Sequence, residues 1–240
     1  MTLESYEHPI STFITLTYAP EHLPSNGSVS KEAMQLWLKR LRFELGERKI
    51  RYYLVGEYGE QSWRPHYHAI IYGMAPTEEA VFKKTWPFGH IHLGLAEHRT
   101  FSYVAGYMVK RMTNPKDKRL KGREPEFCLM SKNPGLGFGT VARTVKAYQT
   151  KPGQVILAKK RQIETMFKSQ GHTYPLGRYL SAKIEEAVGI GKDDKLAANT
   201  AKQLEKWNEK VVCTTDDYER RRRARLEAQA GRVRLKKVRL

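Results

Sequence analysis

Two histidines separated by one residue, a carboxylate one hairpin away and two tyrosines one helical turn apart are the residues of this chain whose types and spacing could do chemistry. In RPHYHAIIYG, His66 and His68 flank one aromatic residue in a run that reads as a strand. The two-residue period of a strand puts both imidazoles on one sheet face. The preceding strand-like run ends in Glu57, and a tight connection brings that carboxylate beside the pair. Two imidazoles and a carboxylate make a three-ligand site for a divalent cation, with positions left open for a substrate oxygen such as that of a phosphate. With eight histidines in 240 residues, about 0.3 His-x-His pairs arise by chance, so spacing alone is weak. A second pair, His90 and His92, is indeed present. His66 and His68 are preferred because their strand runs on into apolar residues and Glu57 lies one hairpin away; His90 and His92 are assigned to ordinary hydrogen bonding.

The tyrosines lie in TFSYVAGYMVKRM. At about 100° per residue, Phe101, Val104, Ala105, Met108, Val109 and Met112 share one broad apolar face. Tyr103, Tyr107, Lys110 and Arg111 share the other, which the core does not need. A tyrosine hydroxyl, with an ordinary pKa of about 10, is a poor nucleophile until a metal or a lysine assists it. Once activated, it can attack a phosphodiester and keep the bond energy in a phosphotyrosine. Two tyrosines one turn apart could act in succession. Gly106, between them, leaves the helix surface thin enough for a nucleic acid strand or a sheet to approach.

These residues need a scaffold. Residues 12–18 read as a strand from their β-branched and aromatic content. Ser30 can cap a helix whose Met34, Trp37, Leu38, Leu41 and Leu45 form one buried face, stopping near Gly46. Strands follow at Ile50 to Glu57 and His66 to Tyr72, joined as an antiparallel hairpin, then a short helix from Thr77 to Thr85, a strand from His90 to Leu95 and the tyrosine helix from Phe101 to Met112. Beyond it, helices are expected at Thr140 to Gln149, Leu157 to Lys168 and Asp194 to Val211, after a glycine-rich loop from Ser131 to Gly139. The composition shift near Arg111 divides the chain into a compact core over residues 1–112, a basic loop and mostly helical extension over 113–218, and a basic tail over 219–240.

The formal net charge is +18. Ten Lys and Arg against two acids between Glu219 and Leu240 give the tail +8 of it. A second cluster, Arg111 to Arg123, surrounds the turn signal Asn114-Pro115 and supplies Arg111, Lys116, Lys118, Arg119, Lys121 and Arg123. With Arg64 beside the histidine strand, these are the candidate DNA contacts, since neutralising phosphates releases condensed counterions. No run approaches the roughly 18–20 apolar residues of a membrane span, which excludes an integral helical membrane protein. Nothing near the start reads as a secretory signal, so a cytoplasmic setting is expected. Cys128 and Cys213 are 85 positions apart without a CxxC partner, so free thiols are expected rather than a disulfide framework or a zinc knuckle.

FITLTY at 13–18, GEYGEQSWRPHYHAIIYG at 56–73 and SYVAGYMVKR at 102–111 resemble, in order, the three motifs of the HUH endonucleases. The likeness is strongest to the replication initiation proteins of microviruses, the gokushovirus group of small circular single-stranded DNA phages in particular. MSKNPGLGFG at 130–139 and YPLGRYL at 174–180 also look like segments of that group, so the resemblance covers roughly residues 1–180. It implies an α+β fold, a five-stranded antiparallel sheet flanked by helices with a helical C-terminal extension. It further implies that Glu57, His66 and His68 hold Mg²⁺ or Mn²⁺, that Tyr103 or Tyr107 attacks the origin, and that Lys110 stabilises phosphate charge. The partners implied are single-stranded origin DNA, as a strand or a hairpin, and the replication machinery of a bacterial host, in whose cytoplasm the protein would act. Family members usually carry a longer segment with closely spaced cysteines before the first motif than the MTLESYEHP found here. The competing readings are a non-catalytic binder whose tyrosines stack on single-stranded bases, and an HUH initiator or relaxase of a plasmid or mobile element.

Overall fold

A computed structural model describes residues 1–106, 112, 114–160 and 162–190 of the chain. Contacts divide the chain into two units, one running from His8 to Ser131 and the other joining Met1–Glu7 to the residues from Lys132 onward. The division expected at residue 112 does not coincide with this one, because a short strand beyond it pairs into the sheet of the first unit.

The second unit begins with α1 (Thr2–Ser5). The first unit holds β1 (Ser11–Tyr18), α2 (Lys31–Leu45), β2 (Arg51–Tyr58), β3 (Pro65–Tyr72), α3 (Glu79–Thr85), β4 (Gly89–Leu95), α4 (described over His98–Gly106) and β5 (Phe127–Met130). Its strands form one antiparallel sheet in the order β4-β1-β3-β2-β5. The expected α+β architecture, five antiparallel strands with flanking helices, is therefore observed.

Alternation along the strands sorts the side chains. Ile14, Leu16, Leu54, Tyr67, Ala69 and Ile71 are buried on one face, in a cluster with Met34, Trp37, Leu38 and Leu41 of α2. Each of these large side chains gains roughly 1.5–3 kcal/mol by leaving water. The helix starts where expected: the Ser30 hydroxyl accepts from the Ala33 N–H at 3.0 Å, and the chain leaves it at Gly46 with φ +57°. The backbone N–H groups of Val29 and Ser30 donate to the buried hydroxyls of Tyr58 and Tyr67, at 3.1 and 2.8 Å, which pins this start onto β2 and β3. Ser30→Ala should therefore cost about 1 kcal/mol, read as a lower urea midpoint at unchanged slope.

Three sequence-based elements shift. The helix expected from Phe101 already begins at His98, and Met112, expected as its last residue, is buried but not helical. The short helix expected from Thr77 begins at Glu79. The remainder of the tyrosine helix, the helix expected over Asp194 to Val211 and the basic tail lie outside the described residues.

In the second unit, α5 (Phe138–Tyr148), α6 (Lys151–Lys160), β6 (Met166–Ser169), β7 (His172–Pro175) and α7 (Arg178–Val188) follow one another. Its core joins Leu3 of α1 to Phe138, Val141, Val145, Leu180 and Ile184. The helix expected over Leu157 to Lys168 is corrected: α6 ends at Lys160 and a hairpin begins at Met166. That hairpin turns through Gln170 and Gly171, both at positive φ, the backbone twist that a two-residue turn between paired strands favours. Among the described residues no helix is long and apolar enough to cross a membrane.

Candidate active site

The sheet register brings the predicted residues together on the face opposite α2. His66 lies directly across from Glu57 on β2 and from Thr17 on β1, and His68 lies across from Val55 and Thr15. Directly opposed residues share a face, so both histidines and the carboxylate look the same way, as the alternation predicts. His90 and His92 of β4 oppose Thr17 and Thr15 from the other side and extend the same two ranks.

Within the ranks, Glu57 reaches the diagonal neighbour rather than the direct one. The Oε1 of Glu57 lies 3.0 Å from Nε2 of His68, and the other ring nitrogen of His68 lies 3.0 Å from the Thr15 hydroxyl. A carboxylate accepts, so Nε2 carries the proton and donates, and Nδ1 accepts from the Thr15 hydroxyl; the ring is oriented at both ends. His68 is buried, and its ring stacks on Phe13 with centroids 6.0 Å apart and planes within 4°. Thr15 and Phe13 are site residues that the motif reading passed over, although their alternation in FITLTY puts them on this face.

His66 is turned elsewhere. Its ring packs so closely on the β2–β3 loop that a methyl group at Gly59 would lie 2.7 Å from its Cε1 and 3.0 Å from its Nδ1. Burial lowers its pKa; His68 and Arg64 add to the shift and Glu57 opposes it, which favours the neutral imidazole, the form able to bind a cation. Among the described residues, no three His, Cys, Asp or Glu side chains converge closely enough to hold a metal ion. Glu57 and His68 meet; His66 shares their face and faces Glu57 in register, but its ring must swing from Gly59 to join them. The donor set of two imidazoles and a carboxylate has the chemistry of a divalent site with open positions.

The tyrosine helix meets this face. Phe101 and Val104 of α4 are buried, and the Phe101 ring is 6.3 Å from that of Tyr72 on β3. The phase predicted for the helix thus holds over its described part, and Tyr103 remains 52% exposed. Its ring stands edge-on to His68 at 5.9 Å and to Phe13 at 6.1 Å. At Gly106 a Cβ would meet nothing within 4 Å. Tyr107, Lys110 and Arg111 lie outside the described residues.

The other predicted DNA contacts separate by environment. Lys116, Lys118 and Lys121 are exposed. Arg119 is engaged by Asp117 at 2.6 Å, and the hydrogen bond from its guanidinium holds the Asp117 carboxyl at about 2. Arg64 donates to the carbonyl of Tyr18 at 2.8 Å, fastening the β2–β3 loop to the end of β1. Arg123 lies over the rings of Tyr58 and Trp63 at 5.9 and 5.6 Å. A further carboxylate that no motif announced, buried Glu126, accepts from the backbone N–H of Tyr58 at 3.0 Å and of Met112 at 2.8 Å. It thereby ties Met112, six residues past the described end of α4, to the strand that carries Glu57.

Residues 11–112, which hold all four longer strands and the described part of α4, match the family model of the ORF2 type of replication-associated protein. The chain is also similar to three phage proteins. It is 30% identical over 128 residues to the replication-associated protein VP4 of Bdellovibrio phage phiMH2K, covering 44% of this chain and 40% of that one. Against the replication-associated protein ORF4 of Chlamydia phage 1 it is 29% identical over 133 residues, covering 46% and 33% of the two chains. The replication-associated protein ORF2 of Spiroplasma virus 4 is 29% identical over 148 residues, covering 52% and 46%. The resemblance to replication initiation proteins of the microvirus group is thereby borne out, and the chain spans less than half the length of these relatives. No solved structure matches.

Proposed function

We propose that this chain initiates replication of a circular single-stranded DNA phage genome by nicking its origin with a tyrosine and later rejoining the strand. The observation that carries the reading is the contact of Tyr103 with His68, itself hydrogen-bonded to Glu57: a nucleophile candidate stands edge-on to a candidate metal ligand. Glu57, His66 and His68 would hold Mg²⁺ or Mn²⁺, which when bound supplies Lewis-acid polarisation of the scissile phosphate. Thr15 keeps the His68 ring in place, and Phe13 forms a wall against both His68 and Tyr103.

The tyrosine oxygen forms a bond to phosphorus as the bond from phosphorus to the 3′ oxygen breaks. The tyrosine loses its proton and the departing 3′ oxygen gains one, so the step is a transesterification that yields a 3′-OH and a 5′-phosphotyrosine. Tyr107, one turn along by the helical spacing of the sequence, would cut the regenerated origin, and Lys110 would offset phosphate charge. Exposed Lys116, Lys118 and Lys121 follow the nucleophile helix and supply non-specific attraction.

The test uses the full chain with Mn²⁺ and overlapping single-stranded oligonucleotides tiling the genome that encodes it. One oligonucleotide should become covalently attached, seen as a band stable to denaturation and as the mass of a 5′-linked fragment. Changing both Tyr103 and Tyr107 to Phe should lower adduct formation by more than about 10³-fold. An adduct that persists in the double variant removes these residues as nucleophiles. Salt-sensitive binding that is indifferent to EDTA and never yields an adduct would instead identify a non-catalytic binder.

A further inference from the structure

The second histidine pair has a position that its sequence spacing does not disclose. His90 opposes Thr17 and His92 opposes Thr15, while the same two threonines oppose His66 and His68 on their other side. One rank therefore reads His90, Thr17, His66, Glu57 across four strands, and the next reads His92, Thr15, His68. Strand spacing sets His90 and His92 two strands, roughly 10 Å, from the first histidine pair. Both are exposed, while Ile91 and Leu93 between and beyond them pack against the core on the opposite face. β4 is an edge strand, so the ranks open to solvent at this end.

The composition of the ranks indicates what could lie along them. They contain no lysine or arginine, and Glu57 at the far end is their one acid. Imidazole N–H and threonine O–H groups are donors, and phosphate oxygens only accept. A solvent-facing edge strand explains polar residues at 90 and 92 but not a rank of donors continuous with the histidine site. We infer that His90 and His92, with Thr17 between them and the cleavage site, form a track that holds the sugar-phosphate backbone of single-stranded DNA as it enters or leaves that site. They are positioning residues, acting by hydrogen bonding and independent of base sequence. This rests on the reading of the face as a nicking site, and the experiment below separates the two.

Binding of fluorescein-labelled dT30 to the full chain is followed by anisotropy in EDTA, where no cleavage is required. His90→Ala with His92→Ala should weaken binding about ten-fold. The slope of log affinity against log salt should stay unchanged, because no cation is removed. His90→Gln with His92→Gln, which keeps a donor at each position, should restore most of the affinity. Unchanged binding in the alanine variant, a changed salt slope, or failure of glutamine to restore affinity overturns the track; melting curves of both variants confirm that they are folded. With a cleavable oligonucleotide, the alanine variant should need more DNA for half-maximal adduct formation at a preserved maximal rate. Adduct formation by the unaltered chain decides the nicking reading, whereas dT30 binding decides the track.

Discussion

His68→Ala is expected to lower adduct formation by more than 100-fold, beyond the roughly 10–100-fold typical of residues that only support a metal ligand. Three contacts disappear with the ring: the hydrogen bond with Glu57, the hydrogen bond with Thr15, and the surface against which Tyr103 stands. Mn²⁺ affinity should fall as well, measured as free Mn²⁺ by electron paramagnetic resonance in a titration that does not depend on turnover. Because His68 is buried and stacked on Phe13, the variant should also melt at lower temperature, so both assays belong well below its midpoint. Thr15→Val is the informative comparison. It keeps the ring but removes the hydroxyl that orients it, and should cost about ten-fold in Mn²⁺ affinity. Mn²⁺ affinity and adduct rate in His68→Ala both within about three-fold of the unaltered chain would remove His68 from the site.

Gly89→Ala should produce the largest loss of stability among single substitutions of the sheet unit. A Cβ at Gly89 would lie 2.1 Å from the Thr17 carbonyl oxygen, 2.4 Å from the Ala19 nitrogen and 2.7 Å from the Tyr18 carbonyl carbon. All three are backbone atoms of β1 or its exit, so no side-chain rotation relieves the clash. Either β4 separates from β1 at its first pair, Tyr18 with Gly89, or β1 itself shifts. A cost of roughly 2–4 kcal/mol is expected, measured as a lower urea midpoint. The loss should fall on β1 and β4 together, visible as faster amide hydrogen exchange along both strands. A midpoint within about 0.5 kcal/mol of the unaltered chain would show that the close approach can be relaxed.

The four long strands and α2 were legible because each pairs a strong local pattern with a burial demand: β-branched and aromatic alternation in FITLTY, and the three-and-four spacing of Met34, Trp37, Leu38 and Leu41. β5 was not. FCLM is four residues long, sits at the sheet edge, and is only partly buried, so nothing local separates it from loop. The β6–β7 hairpin was hidden by apolar residues that fit a helical period, although Gln170-Gly171 carried a turn signal. At the site, alternation predicted a shared face for His66 and His68. It could not predict that Glu57 would reach His68 instead of its direct partner His66, since that depends on side-chain torsions and on the room left by Gly59. The common face of both histidine pairs follows from register, a pairing between strands far apart in sequence, and is invisible to spacing.

The assignment of Met1–Glu7 to the second unit bears on the order of events during synthesis. Leu3 fills a core with Phe138, Leu180 and Ile184, and Glu4 accepts from the Gly137 N–H at 2.6 Å. The first residues to leave the ribosome thus await partners made more than 130 residues later. The sheet unit, an uninterrupted stretch from His8 to Ser131, has its strands in hand much sooner. Chain growth from the N-terminus therefore favours completion of the face that carries the histidines before the helical unit can close around its own beginning.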